Sequence, residues 1–253
     1  MKVIITGGAG FIGSHLCQHH PLQGDTVIAI DNLSSGRADN LNEFRDHKNF
    51  RLNNTSIEQC DDFAELARDA DYIYHLAATV GVFNVIDNPI ATLKNNISAT
   101  LKIYDTIQDQ PKKPTIIIAS TSEVYGSQAG KLSENQALLI DSTQKNRDSY
   151  AISKLCDESI AYAYYRKQQI PCVVLRPFNT IGPRQVGRYG MVVPRFIEQA
   201  VSGKAITVFG DGQQKRAFCD VRDSVQFIRE IAQNPKSIGE IVNVGQQQVI
   251  SMN

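Results

Sequence analysis

Tyr150 and Lys154 stand one helical turn apart in Tyr150-Ala151-Ile152-Ser153-Lys154, a spacing at which two side chains share one helix face. Together they could move a proton. A tyrosine alone is a poor base near neutrality because its unperturbed pKa is about 10. A neighbouring ammonium favours the phenolate, which makes Tyr150 a candidate general base for a hydroxyl proton. The pair occurs by chance in many helices, so it carries weight only in company. Company comes from Ser120-Thr121-Ser122-Glu123-Val124-Tyr125-Gly126, which follows the unbroken apolar run Thr115–Ala119. In an open parallel sheet, ligands bind beyond the carboxyl ends of the strands. Thr121, Ser122 and Glu123 are therefore expected beside a substrate, with a hydroxyl able to share a proton with Tyr150. Glu123 is either a working carboxylate or an exposed loop charge.

A second constellation is built for phosphate. Gly7-Gly8-Ala9-Gly10-Phe11-Ile12-Gly13 lies between the apolar run Lys2–Thr6 and a helical stretch. Gly7 permits a tight turn, Gly10 lets the backbone approach a pyrophosphate, and Gly13 lets the helix pack closely on the strand. The first-turn N–H groups at Phe11, Ile12 and Gly13 then offer a partial positive charge to the phosphates. Asp31 ends the next apolar run, eighteen positions after Gly13. Its carboxylate would accept from ribose hydroxyls and repel a 2′-phosphate, which favours NAD over NADP as cofactor. Nearby Arg37 either serves a 2′-phosphate or is a solvated loop charge.

The elements that must position these groups alternate along the chain. Strands are expected at Lys2–Thr6, Thr26–Asp31, Tyr72–Ala77, Thr115–Ala119 and Cys172–Leu175. Helices are expected at Gly10–His20, Ile90–Gln108 and Tyr150–Lys167. Continuous apolar strands separated by helices predict a parallel sheet covered on both faces, an α/β fold of doubly wound Rossmann type. After Arg176-Pro177 the elements shorten, with a helix at Val193–Ser202 and strands at Ala205–Phe209 and Glu240–Gly245. The expected division is residues 1–177 as the NAD-binding domain with Tyr150 and Lys154, and 178–253 as a smaller substrate-binding region. With its last strand so close to Asn253, that region is expected to be incomplete.

Composition narrows the class. The 253 residues carry 26 Lys+Arg and 26 Asp+Glu, so the formal charge is zero and the broad electrostatic footprint of a nucleic-acid binder is missing. No apolar run approaches the roughly 18 residues of a membrane span. The five cysteines Cys17, Cys60, Cys156, Cys172 and Cys219 form no C-x-x-C pair. They suit free thiols in a cytoplasmic protein, and no metal is expected.

Taken in order, these motifs resemble those of the extended short-chain dehydrogenases/reductases, in the NAD-dependent nucleotide-sugar epimerase/dehydratase family. The matching pieces are Gly7–Gly13, Asp31-Asn32-Leu33-Ser34-Ser35-Gly36, His75-Leu76-Ala77-Ala78, Ser120–Gly126, Tyr150–Lys154, Arg176-Pro177-Phe178-Asn179, and Gly210-Asp211-Gly212 with Arg216. The resemblance implies cofactor contacts from Asn32, Ser35, Leu76, Ala77, Ala78, Ser120 and Pro177. It implies catalytic roles for Thr121, Glu123, Tyr150 and Lys154. It places Ser122, Asn179, Arg188 and Arg216 at a nucleotide-diphosphate sugar, a UDP-sugar being favoured. It also implies a homodimer joined through the helices Ile90–Gln108 and Tyr150–Arg166. One departure is Ser56-Ile57, where many relatives carry an Asp toward the adenine.

The implied chemistry opens with oxidation of the sugar C4 hydroxyl. The 4-ketone can then be reduced from its other face, lose the 6-hydroxyl, or lose a C6 carboxylate as carbon dioxide. Thr121-Ser122-Glu123 resembles the UDP-glucuronate decarboxylases, because a 4,6-dehydratase tends to have an Asp where Ser122 stands. Decarboxylation is therefore expected ahead of 4-epimerisation and 4,6-dehydration. A dinucleotide-binding scaffold or sensor is the alternative outside enzymes.

Overall fold

The computed structural model describes residues 1–128, 130–187 and 191–253. The strands are β1 (Lys2–Thr6), β2 (Thr26–Ile30), β3 (Phe50–Asn53), β4 (Tyr72–His75), β5 (Thr115–Ala119), β6 (Cys172–Pro177), β7 (Asn179–Ile181), β8 (Lys215–Asp220), β9 (Ile241–Val244) and β10 (Val249–Ser251). The helices are α1 (Phe11–Leu22), α2 (Phe63–Ala67), α3 (Val82–Asp87), α4 (Pro89–Ile107), α5 (Ser149–Gln168), α6 (Val192–Val201) and α7 (Val221–Gln233).

Seven strands form an all-parallel sheet in the order β3-β2-β1-β4-β5-β6-β9. Strand alternation divides the core into two layers. Ile4, Ile73, Ile116 and Ile118 meet Phe63, Ile103, Tyr104 and Ala161 of α2, α4 and α5 on one face. Val3, Ile5, Val27 and Leu175 meet Leu16, Cys17, Val225 and Ile228 of α1 and α7 on the other. This double covering explains why β1, β2 and β5 read as unbroken apolar runs. Each such side chain, fully withdrawn from water, stabilises the fold by about 1.5–3 kcal/mol.

The order in which strands join the sheet reverses between β1 and β4, and the carboxyl ends of these two parallel strands frame a crevice. That crevice is a cavity of about 1520 Å³.

The expected division after residue 177 is not a clean one. Residues from β7 onward build a small sheet, β10-β8-β7, but β9 then joins the main sheet beside β6 and α7 packs against α1. The expected strand at Ala205–Phe209 is absent. Side chains of α6 take the backbone groups a ladder would need: Gln199 Oε1 accepts from Thr207 N–H at 3.0 Å, and Arg195 Nη2 donates to the Thr207 carbonyl at 3.1 Å. The Arg195 guanidinium also lies 4.1 Å from the centre of the Phe209 ring. The five cysteines are all free thiols. Among the described residues no helix is long and apolar enough to cross a membrane.

Candidate active site

The glycine loop is shaped by contacts that leave no room for a side chain. Gly7 has φ +72°, and a Cβ there would lie 2.8 Å from Ala77 N, so the loop and the end of β4 touch through backbone. A Cβ on Gly13 would fall 2.1 Å from the Gly7 carbonyl oxygen. Gly10 caps α1 without a side chain, and the N–H groups of Phe11, Ile12 and Gly13 have no acceptor within the helix. They face the crevice, as an anion site requires. At its rim, Asp31 accepts from Ala9 N–H at 2.9 Å through Oδ2 and from Leu33 N–H at 2.8 Å through Oδ1. These contacts fix the carboxylate and leave its remaining lone pairs for ribose hydroxyls.

Of the residues singled out from the sequence, the crevice collects Gly7, Gly10, Phe11, Ile12, Gly13, Asp31, Asn32, Ser35, Leu76, Ala77, Ala78, Ser120, Thr121, Glu123, Tyr150, Lys154, Pro177 and Asn179. It does not collect Ser122 or Arg216. Ser122 opens a short 3-10 turn, Ser122–Tyr125, whose Glu123 takes the crevice side instead. Arg216 is exposed on β8, where its guanidinium turns back to the Lys215 carbonyl. Arg188 lies outside the described residues. Ser56 and Ile57 line the crevice together with Asp31.

The sequence reading passed over Arg147, Asn96 and Arg184, all of which line the crevice. Arg147 could have been found from its place three residues before Tyr150, on the turn that leads into α5. Asn96 carries no motif. It accepts from Thr79 N–H at 2.7 Å and donates to Ser153 Oγ at 2.9 Å, and so ties the loop after β4 to α5. Arg184 gave no local signal, because its neighbours Ser14 and Gln18 come from α1, far away in sequence.

At the floor of the crevice, Thr121 Oγ1 accepts from Glu123 N–H at 3.2 Å, which leaves the hydroxyl proton free for a ligand. The loop carrying both residues is held from behind by a buried ion pair. Arg176 donates through Nε and Nη2 to Glu158 at 2.9 and 2.7 Å, and Ser120 Oγ donates to the same carboxylate. Arg176 Nη1 also donates to the Tyr125 hydroxyl at 3.0 Å, which donates to Asn243 on β9 at 2.8 Å. Burial pushes the Glu123 carboxyl above its ordinary value, with Arg147 acting against this and Asp148 adding to it.

Tyr150 departs from expectation. Burial, then the carboxylates of Glu123 and Asp157, raise its phenol above the usual tyrosine value. The Lys154 ammonium, expected to act on the phenol, is spent on Asp157 at 3.1 Å, in a pair with both side chains buried. Two groups three residues apart on a helix meet as readily as two groups four apart. Here the partner that can carry a full charge takes the ammonium.

Comparison with known proteins places this arrangement. The sequence matches the profile of the NAD dependent epimerase/dehydratase family over residues 3–245. The chain belongs to this family. It is 37% identical over 247 residues to the UDP-N-acetyl-alpha-D-glucosaminuronate decarboxylase of Bacillus cytotoxicus, with 97% of this chain and 75% of that one aligned. It is 35% identical to UDP-glucuronic acid decarboxylase 1 of Xenopus tropicalis, covering 98% of this chain and 56% of that protein. Among solved structures, the UDP-glucuronic acid 4-epimerase from Bacillus cereus, in complex with UDP-glucuronic acid and NAD, superposes with a TM-score of 0.89. It is 32% identical and covers 100% of this chain and 80% of that one. The chain is thus an NAD-dependent enzyme of this family, with NAD as its cofactor. The side-chain-free glycine cradle, the open donors of α1 and the fixed Asp31 carboxylate fit that group.

Proposed function

We propose that this enzyme modifies a UDP-sugar through a 4-keto intermediate, and that its sugar carries a C6 carboxylate that is lost as carbon dioxide. The observation that carries the reading is that Thr121, Glu123, Tyr150 and Arg147 line the same crevice as the glycine cradle, with Arg147 and Tyr150 near enough to Glu123 to feel its charge. Bound NAD would supply the hydride acceptor for C4 and, once reduced, the hydride that returns to the ketone after the carboxylate is lost. Tyr150 takes the proton of the C4 hydroxyl, and the Thr121 hydroxyl orients that oxygen. The Arg147 guanidinium matches a sugar carboxylate, which a neutral hexose would leave unpaired. The ketone stabilises the electron pair left at C5 when the C5–C6 bond breaks. Glu123, its carboxyl raised by burial, returns a proton to C5. Dehydration is disfavoured because no acidic side chain replaces Ser122, which itself lies off the crevice.

A second reading, 4-epimerisation of the same uronate, is supported by the likeness to the Bacillus cereus 4-epimerase. It shares every step up to the ketone and needs no proton transfer at C5. Incubating the protein with NAD and UDP-glucuronate, with products followed by mass and NMR, separates the two. Loss of carbon dioxide is expected. An isomer of unchanged mass establishes the second reading, and an untouched uronate alongside loss of water from UDP-glucose, assayed in parallel, overturns both. A homodimer paired through α4 and α5 and a cytoplasmic location complete the proposal, the pairing supported by the exposed apolar Ile90 and Leu101 of α4.

A further inference from the structure

Behind Tyr150 runs a buried chain of hydrogen bonds whose direction can be assigned atom by atom. Lys154 Nζ can only donate, and does so to Asp157 Oδ2 at 3.1 Å. Thr100 Oγ1 lies 2.6 Å from Asp157 Oδ1, so its single proton points to the carboxylate. Thr100 Oγ1 is then the acceptor for His75 Nε2–H at 3.1 Å. Neutral His75 accepts through Nδ1 from the Thr6 hydroxyl at 2.8 Å. Thr6 Oγ1 in turn accepts from Ala77 N–H at 3.1 Å, at the backbone that touches Gly7. Thr6, His75, Thr100 and Asp157 are completely buried, and Lys154 is 1% exposed. Every proton from the cofactor edge points toward Asp157, and the Lys154 proton meets the same carboxylate from the other side.

We propose that Asp157 is a positioning residue for the base: it anchors the Lys154 ammonium at the end of this one-way chain and cancels its charge where Tyr150 would otherwise feel it. The proposal rests on the reading of Tyr150 as the base given above. The ionisable groups around the pair are Tyr150 and Cys156 on α5, Tyr104 on α4, His75 on β4, and Glu123 from the turn after β5. Burial raises the two tyrosines and the cysteine, and lowers His75 to about 3, so these four are neutral near pH 7. Asp157 is thus the carboxylate that answers Lys154. The phenol stays protonated until a cationic ligand enters on the crevice side, and the base is strong only in the loaded enzyme.

The ionisation of Tyr150 can be read without turnover. Tyrosinate absorbance of the full chain at saturating NAD is titrated, and the same titration of Tyr150→Phe is subtracted to remove the other tyrosines. Asp157→Asn is expected to move the midpoint down by about one pH unit. The pair variant Asp157→Asn with Lys154→Met removes two charges that cancel, and is expected to stay within about half a pH unit of the parent. An unmoved or raised midpoint in Asp157→Asn overturns the proposal, as does a shift of about one unit or more in the pair variant. The pair variant leaves no buried charge unpaired, so it decides the matter if the single variant fails to fold. No sugar enters the measurement. Absence of turnover on every nucleotide sugar would therefore sink the proposed function and leave this titration standing.

Discussion

Replacing Glu158 by Gln removes one charge from the ion pair behind the Thr121–Glu123 loop and leaves the shape nearly unchanged. Arg176 is 1% exposed and Glu158 5% exposed, so water does not compensate the loss. The two arginine contacts, at 2.9 and 2.7 Å, form a bidentate fork in which both carboxylate oxygens accept. In the variant one oxygen becomes an NH₂ that faces a donor, and a guanidinium is left buried without its counter-charge. Breaking such a pair from one side costs about 3–5 kcal/mol. For a chain of this size, about 2–4 °C of melting temperature accompanies each kcal/mol, so the expected fall is about 6–20 °C. Circular dichroism melting measures it. The double replacement Arg176→Met with Glu158→Leu is expected to recover most of that loss, since well-packed apolar residues commonly match a buried pair. It is still expected to lower turnover, because Ser120 loses Glu158 and the Tyr125 hydroxyl loses Arg176 while NAD keeps its glycine cradle. A single variant that melts within about 2 °C of the parent would show that the pair neither carries stability nor holds the loop.

Three further outcomes follow from particular contacts. In Gly13→Ala the new methyl would meet the Gly7 carbonyl at 2.1 Å, a backbone contact that cannot rotate away. NAD affinity by calorimetry is expected to drop at least about fivefold, the lower end of an overpacking cost of about 1–3 kcal/mol, and undiminished affinity would contradict the cradle. Glu123→Gln is expected to abolish carbon dioxide release from UDP-glucuronate at unchanged NAD affinity, and full activity would return Glu123 to an incidental loop charge. Burial, then the Lys154 charge, holds the His75 imidazole at about 3 against an ordinary 6.5. The unfolded chain therefore takes up the proton first. The stability His75 contributes is complete above about pH 6.5 and is lost as pH falls toward 3, at up to about 1.4 kcal/mol per pH unit. The stability gap between the parent and His75→Asn in urea unfolding should shrink as pH falls from 7 to 5, and a constant gap would contradict the neutral buried ring.

What the sequence made legible are the places where one residue type answers one local need. Gly7 and Gly13 had to be glycine because backbone passes where a Cβ would stand, and Asp31 follows the second strand, where the Ala9 and Leu33 N–H groups hold its carboxylate. The unbroken apolar runs of β1 and β5 announced a sheet covered on both faces. The strand expected at Ala205–Phe209 did not form, because its apolar residues found no ladder and α6 took the backbone groups instead. The helix α7 was not anticipated, although Val221, Val225, Ile228 and Ala232 recur at helical spacing, and its packing on α1 could not be read locally, since nothing local tells which sheet edge is free.

The base shows most clearly why spacing underdetermines chemistry. Tyr150, Lys154 and Asp157 lie on neighbouring turns of one helix, and the ammonium could answer either of the other two. Burial decides. In a site closed to water, an ammonium left opposite a neutral phenol would leave both its own charge and that of Asp157 uncompensated. Paired with Asp157, the two charges answer each other, and the Thr100 hydroxyl satisfies the second carboxylate oxygen. The Tyr-x-x-x-Lys spacing therefore brings the candidate groups together without giving their charge state. That state is set by one carboxylate three residues further on, and by a hydroxyl on α4 that no local pattern connects to it.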